Sequence, residues 1–134
     1  MGQNSLDFDA LVAINTEELT GRALDCAICL SEGGTWSRGI WSWGDVDYGY
    51  RMTTPPFSSE WRYGGPLMAR EQIIISPDPE GGYLAWPHMD ARFSVRGSDE
   101  LQAAMRCIVS RNLGPVVEIP AFLLGGTVHK PSFS

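Results

Sequence analysis

The chain has 134 residues, 43% of them hydrophobic, which is enough for one domain with a core of its own and too short for two of ordinary size. Sixteen acidic residues against ten basic ones leave a net charge of −6, so non-specific binding to a nucleic-acid backbone is not expected. The longest apolar runs, Ile73 to Ile75 and Ala121 to Leu124, fall far short of the roughly 20 residues of a membrane span. No secretory leader pattern opens the chain, and Leu6 stands where an N-myristoyl start needs Ser or Thr; no membrane partner and a cytoplasmic place in a bacterial host are expected.

Residues 1–15 show no clear period and read as a loose N-terminal arm or short strand ahead of a single domain over 16–124. Thr16 is a candidate N-cap; Leu19, Ala23, Cys26, Ala27 and Leu30 then recur at helical spacing until Gly33 and Gly34, which predicts a helix over Glu17 to Glu32. An aromatic-rich insert follows at 36–50. Short β-like runs at Gln72 to Ser76, Tyr83 to Trp86, Arg92 to Val95 and Val116 to Ile119 are each bounded by Gly, Pro or Asp. Ser98 as N-cap, followed by Asp99 and Glu100, opens a second helix with Leu101, Ala104, Met105 and Ile108 on one face and Gly114-Pro115 as its stop. Residues 125–134, rich in Gly, Pro and Ser, read as a flexible tail. The pattern predicts an α+β fold: one two-layer domain, two amphipathic helices on a small, mostly antiparallel sheet.

Three cysteines, Cys26, Cys29 and Cys107, are an odd number without an export signal, so reduced thiols are expected. Cys26 and Cys29 have knuckle spacing, but a zinc site needs two more ligands and only Cys107, His88 and His129 remain. Their position deep in an apolar helix makes them core residues, and no metal or cofactor is implied. No nucleophile elbow, phosphate loop or metalloprotease string occurs, and His88 reads as a surface imidazole in a Pro-anchored loop, so no catalytic residue is assigned. The carboxylate pairs Asp45/Asp47 and Asp78/Glu80 carry no hydrolase signature, and Asp25 inside the first helix reads as a partner for Arg22 or Arg106.

The strongest constellation lies between Trp36 and Arg70, where eight of the fourteen aromatics fall and the local charge is +1. Trp61-Arg62-Tyr63-Gly64-Gly65-Pro66 reads as a Gly-Gly turn with exposed backbone N–H groups, Pro66 starting a short helix, and rings and guanidinium planes able to stack on a base or sugar. Trp61, Arg62, Tyr63, Gly64, Gly65 and Arg70, with Trp36, are the candidate ligand-binding residues. The competing reading is that Trp61 and Tyr63 seal the core beneath the turn.

Three blocks, Glu18 to Gly33, Pro56 to Ile75 and Ala103 to Pro120, together resemble the phage NinX family over about four fifths of the chain. The resemblance rests on Leu19, Thr20, Gly21, Leu24 and Asp25; on Trp61, Gly64, Gly65 and Pro66 with Arg70 and Glu71; and on Ala104, Met105, Arg106, Cys107 and Leu113. The sequence departs from the pattern at Cys26, where a larger apolar residue is expected, and in the Trp36 to Tyr50 insert. The resemblance implies a phage or prophage accessory protein, among genes dispensable for basic growth, and brings no activity with it. The expected function is non-catalytic binding, with a counter-defence role as one form, directed at a nucleotide-like, phosphate-bearing small molecule or at a host protein. The alternatives are a small hydrolase for a phosphate or amide, and an assembly module forming a homo-oligomer through the Trp-rich insert.

Overall fold

Leu11 to Asn15 is an uncharged, partly β-branched run. In the computed structural model, which describes residues 10–37, 40–43, 46–49 and 54–124, it forms strand β1 (Leu11–Asn15), the short strand among the expected alternatives. β1 pairs antiparallel with the last strand, β8 (Val116–Pro120), with Leu11 opposite Pro120 and Asn15 opposite Val116. Thr16 closes this pairing. Fully buried, it donates both its N–H (2.9 Å) and its hydroxyl (3.3 Å) to the Pro115 carbonyl, so its side chain is not free to cap a helix. The helix expected from Glu17 therefore splits. Thr16–Glu18 make a single 3-10 turn, Leu19 is extended and buried, Gly21 takes a left-handed φ of +53°, and α1 (Gly21–Ser31) begins there. Every residue from Ala23 to Cys29 is buried, as in a helix enclosed on nearly all sides.

The aromatic insert forms a three-stranded antiparallel ladder of β2 (Thr35–Ser37), β3 (Ile40–Trp43) and β4 (Val46–Gly49), with an irregularity between Trp41 and Ser42. The tail 125–134, His129 and the segment 1–9 lie outside the described residues.

The short helix expected from Pro66 begins five residues earlier, as α2 (Trp61–Glu71). Gly64, Gly65 and Pro66 lie inside it, so the expected Gly-Gly turn is helical backbone. Intrinsic propensity opposes this by about 1 kcal/mol per glycine and about 3 for proline relative to alanine. Tertiary packing overrides it. A Cβ on Gly64 would collide with the Phe57 carbonyl oxygen and come within 2.8 Å of Leu101 Cδ1, so only glycine lets α2 approach this close, while Leu67 and Met68 pack into the core.

β5 (Ile73–Pro77), β6 (Tyr83–Pro87) and β7 (Val95–Gly97) form an antiparallel sheet with Ile75 opposite Ala85 and Ala85 opposite Val95. The strand expected at Arg92 starts three residues later, because Asp90 accepts the Phe93 N–H and holds the preceding residues in a turn. α3 (Glu100–Leu113) is capped by Asp99, not Ser98: the Asp99 carboxylate accepts the Gln102 N–H at 2.8 Å, while Gln102 Oε1 accepts from Ser98.

α3 is the centre of the fold. Leu101, Ala104, Met105, Ile108 and Val109 join α1, α2 and β8 in the main core, while the small side chains of Ala103 and Cys107 face Ala85 and Val95 of the sheet. Gly97 permits that approach, since a Cβ there would strike Ala103. The α+β class holds, with the strands divided among three small antiparallel sheets and a third helix added.

The three helices run in one direction. Ser58, just before α2, bonds to Asp25 and Gly21 at the start of α1, and Gly64 meets Leu101 at the start of α3. At the other end Arg70 reaches Glu32, Arg111 lies 3.8 Å from Glu71, and Asn112 donates to Ser31 at 2.7 Å. Aligned neighbouring dipoles disfavour this arrangement, and Arg70 and Arg111 at the three C-terminal ends offset part of that cost.

Candidate functional site

The three thiols sit in the core. All three are buried; burial pushes Cys29 up to about 12 and Cys107 up to about 11, and raises Cys26 further. They stay protonated at neutral pH, and among the described residues no His, Cys, Asp and Glu cluster could hold a metal. His88 is exposed in the turn after β6, its N–H bound to the Gln72 carbonyl. Asp78 and Glu80 share Arg96 at 3.0 and 3.1 Å on the β5–β6 loop, the Asp78 contact lacking hydrogen-bond alignment. Asp47 lies on β4, and Asp45 is outside the described residues.

The Asp25 carboxylate is bound by backbone, while Arg106 is committed to the Leu19 and Arg96 carbonyls. Asp25 Oδ1 accepts the Ser58 N–H at 2.8 Å, fastening α1 to the turn that leads into α2. Burial raises its pKa and the Ser58 hydrogen bonds pull it back. Arg106 ties other segments together, its Nε donating to the Leu19 carbonyl at 2.8 Å and its Nη1 to that of Arg96 at 3.0 Å. Desolvation lowers its pKa, yet a guanidinium keeps its charge. Leu19, Gly21, Asp25, Gly64 and Arg106 thus belong to one construction that sets the 3-10 turn, α1 and α2 against α3.

The expected ligand-binding residues do not act as one loop. Gly64 is buried at the α2–α3 contact; Gly65 faces only Trp61 Cε3, at 3.8 Å from a notional Cβ. Tyr63 is half-buried, edge-on to Phe57 with centroids 6.5 Å apart. Arg62 lies over the Tyr63 ring at 5.1 Å and donates to its hydroxyl at 3.2 Å. Arg70 is spent at the opposite end of α2: Nη1 and Nη2 grip Glu32 at 2.7 Å each and Nε donates to Glu71 at 3.0 Å. That engagement with Glu32 raises its pKa and leaves no free fork for a phosphate. Trp36 is on β2, with its side chain outside the described residues.

Trp61 is different. In the first turn of α2, it leaves 53% of its surface in solvent and borders a cleft of about 290 Å³ lined also by Ser58, Ser59, Asp99, Glu100 and Leu101. The cleft exists because α2 and α3 start side by side, pinned by Gly64 on Leu101 and by Asp25 on Ser58. Sequence reasoning finds Trp61 and misses its neighbours. Ser58 and Ser59 carry no signal, and Asp99 and Glu100 are explained fully as helix-start residues.

Fold and site together define a small α+β domain whose buried polar groups serve packing and whose exposed indole marks a surface cleft. The chain belongs to the phage family described as Bacteriophage P22, NinX, whose model matches residues 15–112. The match contains α1, α2 and most of α3, with Asp25, Gly64 and Arg106, and stops before β8. It makes this a phage accessory protein. No curated protein matches the chain. Among the described residues no helix is long and apolar enough to cross a membrane.

Proposed function

We propose that the protein is a non-catalytic binding protein that occupies a host protein through the surface around Trp61. The observation that carries this reading is a tryptophan left half in solvent at the start of α2 and bordering a cleft. Covering the exposed part of an indole removes roughly 100 Å² of apolar surface, about 2.5 kcal/mol at about 25 cal/mol per Å². That magnitude suits a binding hot spot, where tryptophan is enriched. A phosphate-bearing ligand is disfavoured, because Arg70 is held by Glu32 and Glu71 and the cleft is edged by carboxylates. Interference with a host defence protein is a form such binding takes in a phage accessory protein.

Native mass spectrometry of the protein purified from phage-infected cells tests the reading. The wild type is expected to carry a partner of protein mass, and folded Trp61→Ala to arrive without it. Equal retention by both, or a retained mass of nucleotide size, refutes the proposal.

A further inference from the structure

We infer that the cleft beside Trp61 receives an arginine or lysine side chain presented by the partner protein. This rests on reading Trp61 as a protein-binding surface, and it specifies the chemistry of the contact.

The lining is selective. One wall is an indole, whose face attracts cations. The other is the first turn of α3, with the carboxylates of Asp99 and Glu100; Asp99 Oδ1 is engaged by the Gln102 N–H, while Glu100 is exposed and makes no ion pair described among these residues. The Ser58 N–H is already given to Asp25, so it is not offered to an incoming acceptor. A phosphate or carboxylate entering here meets two like charges. A purely apolar group desolvates them without compensation. A guanidinium or ammonium alone finds a partner on both walls, and its aliphatic stem can lie along Trp61 and Leu101.

The nearest cation in sequence does not fill this role from within, since Arg62 is folded over the Tyr63 ring. At about 290 Å³ the cleft falls at the floor of the roughly 300–1,000 Å³ range of small-molecule sites, a size suited to one long side chain. The net charge of −6 favours approach of a basic surface.

Isothermal titration of the full chain with a hexa-arginine peptide, against a hexa-citrulline peptide of equal length, tests the inference. Hexa-arginine is expected to bind, more weakly as salt rises, and citrulline not to bind. Trp61→Ala should weaken hexa-arginine by on the order of tenfold, and Glu100→Gln by about two- to fivefold. The double variant Glu17→Gln/Glu18→Gln, at a separate acidic cleft, should leave affinity unchanged. Equal loss in that double variant means general attraction to an acidic surface and overturns the inference, as does absence of binding or equal binding of citrulline. If the partner seen by mass spectrometry still depends on Trp61 while hexa-arginine fails, the basic-side-chain inference falls and the protein-binding reading stands. If partner retention ignores Trp61, both fall.

Discussion

Replacing Gly64 with alanine adds one methyl group at the contact between α2 and α3, while the same change at Gly65 adds it where space exists. The new Cβ at position 64 would overlap the Phe57 carbonyl oxygen and lie 2.8 and 3.2 Å from Leu101 Cδ1 and Cγ. The Leu101 side chain can yield, but the carbonyl belongs to backbone anchored nearby by the Ser58 to Asp25 bond. Overpacking costs about 1–3 kcal/mol, and a clash with backbone that cannot yield takes the upper part, about 2–3, of which the gain in helix propensity returns about 1. Gly64→Ala should therefore lose roughly 1–2 kcal/mol. At Gly65 the nearest atom is Trp61 Cε3 at 3.8 Å, an ordinary contact, so the propensity gain of about 1 kcal/mol is retained. The two variants should differ by about 2–3 kcal/mol with opposite signs, visible in urea denaturation midpoints or as roughly 6–12 °C in Tm. A Gly64→Ala protein as stable as wild type, or equal destabilisation at both positions, would refute the placement of these glycines within a packed helix.

Four further outcomes are expected. Asp25→Ala should lose about 1–3 kcal/mol by leaving the partly buried Ser58 N–H without its acceptor. Because the folded Asp25 pKa is raised, its contribution is fully present below the unfolded value near 4 and is lost as pH rises through the folded one; Asp25→Asn, which keeps an acceptor, should flatten stability from about pH 4 upward in urea titrations at stepped pH. The thiols should resist a disulfide reagent at pH 8 in the folded protein and react in denaturant. Unfolding sheds their protons earlier, so stability should fall from about pH 8.5 through the folded values of about 11 for Cys107 and about 12 for Cys29. Arg106→Met should cost on the order of 2 kcal/mol by freeing the Leu19 and Arg96 carbonyls, measured by chemical denaturation. Arg70→Ala, at a half-exposed surface ion pair, should cost under about 1 kcal/mol and leave partner retention in native mass spectrometry unchanged.

The parts of the fold legible in the sequence are those whose local signals agree with their tertiary surroundings. α3 carries its cap, its apolar face and its glycine stop in consecutive residues, and the strands at Ile73, Tyr83 and Val116 are bounded by turn residues on both sides. The part of α2 before Pro66 is illegible because its defining requirement is non-local. Gly64 is glycine on account of Phe57 and Leu101, and a sequence window sees only two poor helix formers before a proline. Thr16 misleads similarly, since its hydroxyl answers to Pro115, 99 residues away. For the candidate site, Trp61 is conspicuous in composition, whereas the cleft depends on two helices beginning together. That juxtaposition is written in Asp25 and Ser58, a pair no spacing rule connects.

The most direct test of the Trp61 surface is amide hydrogen exchange on the protein alone and in complex with the partner it carries from infected cells. Slowed exchange concentrated at Ser58–Arg62 and Asp99–Leu101, with the C-terminal ends of α1 and α2 around Glu32 and Arg70 unchanged, is the expected result. Protection confined to other segments, with the first turns of α2 and α3 exchanging as in the free protein, would contradict the assignment of the binding surface.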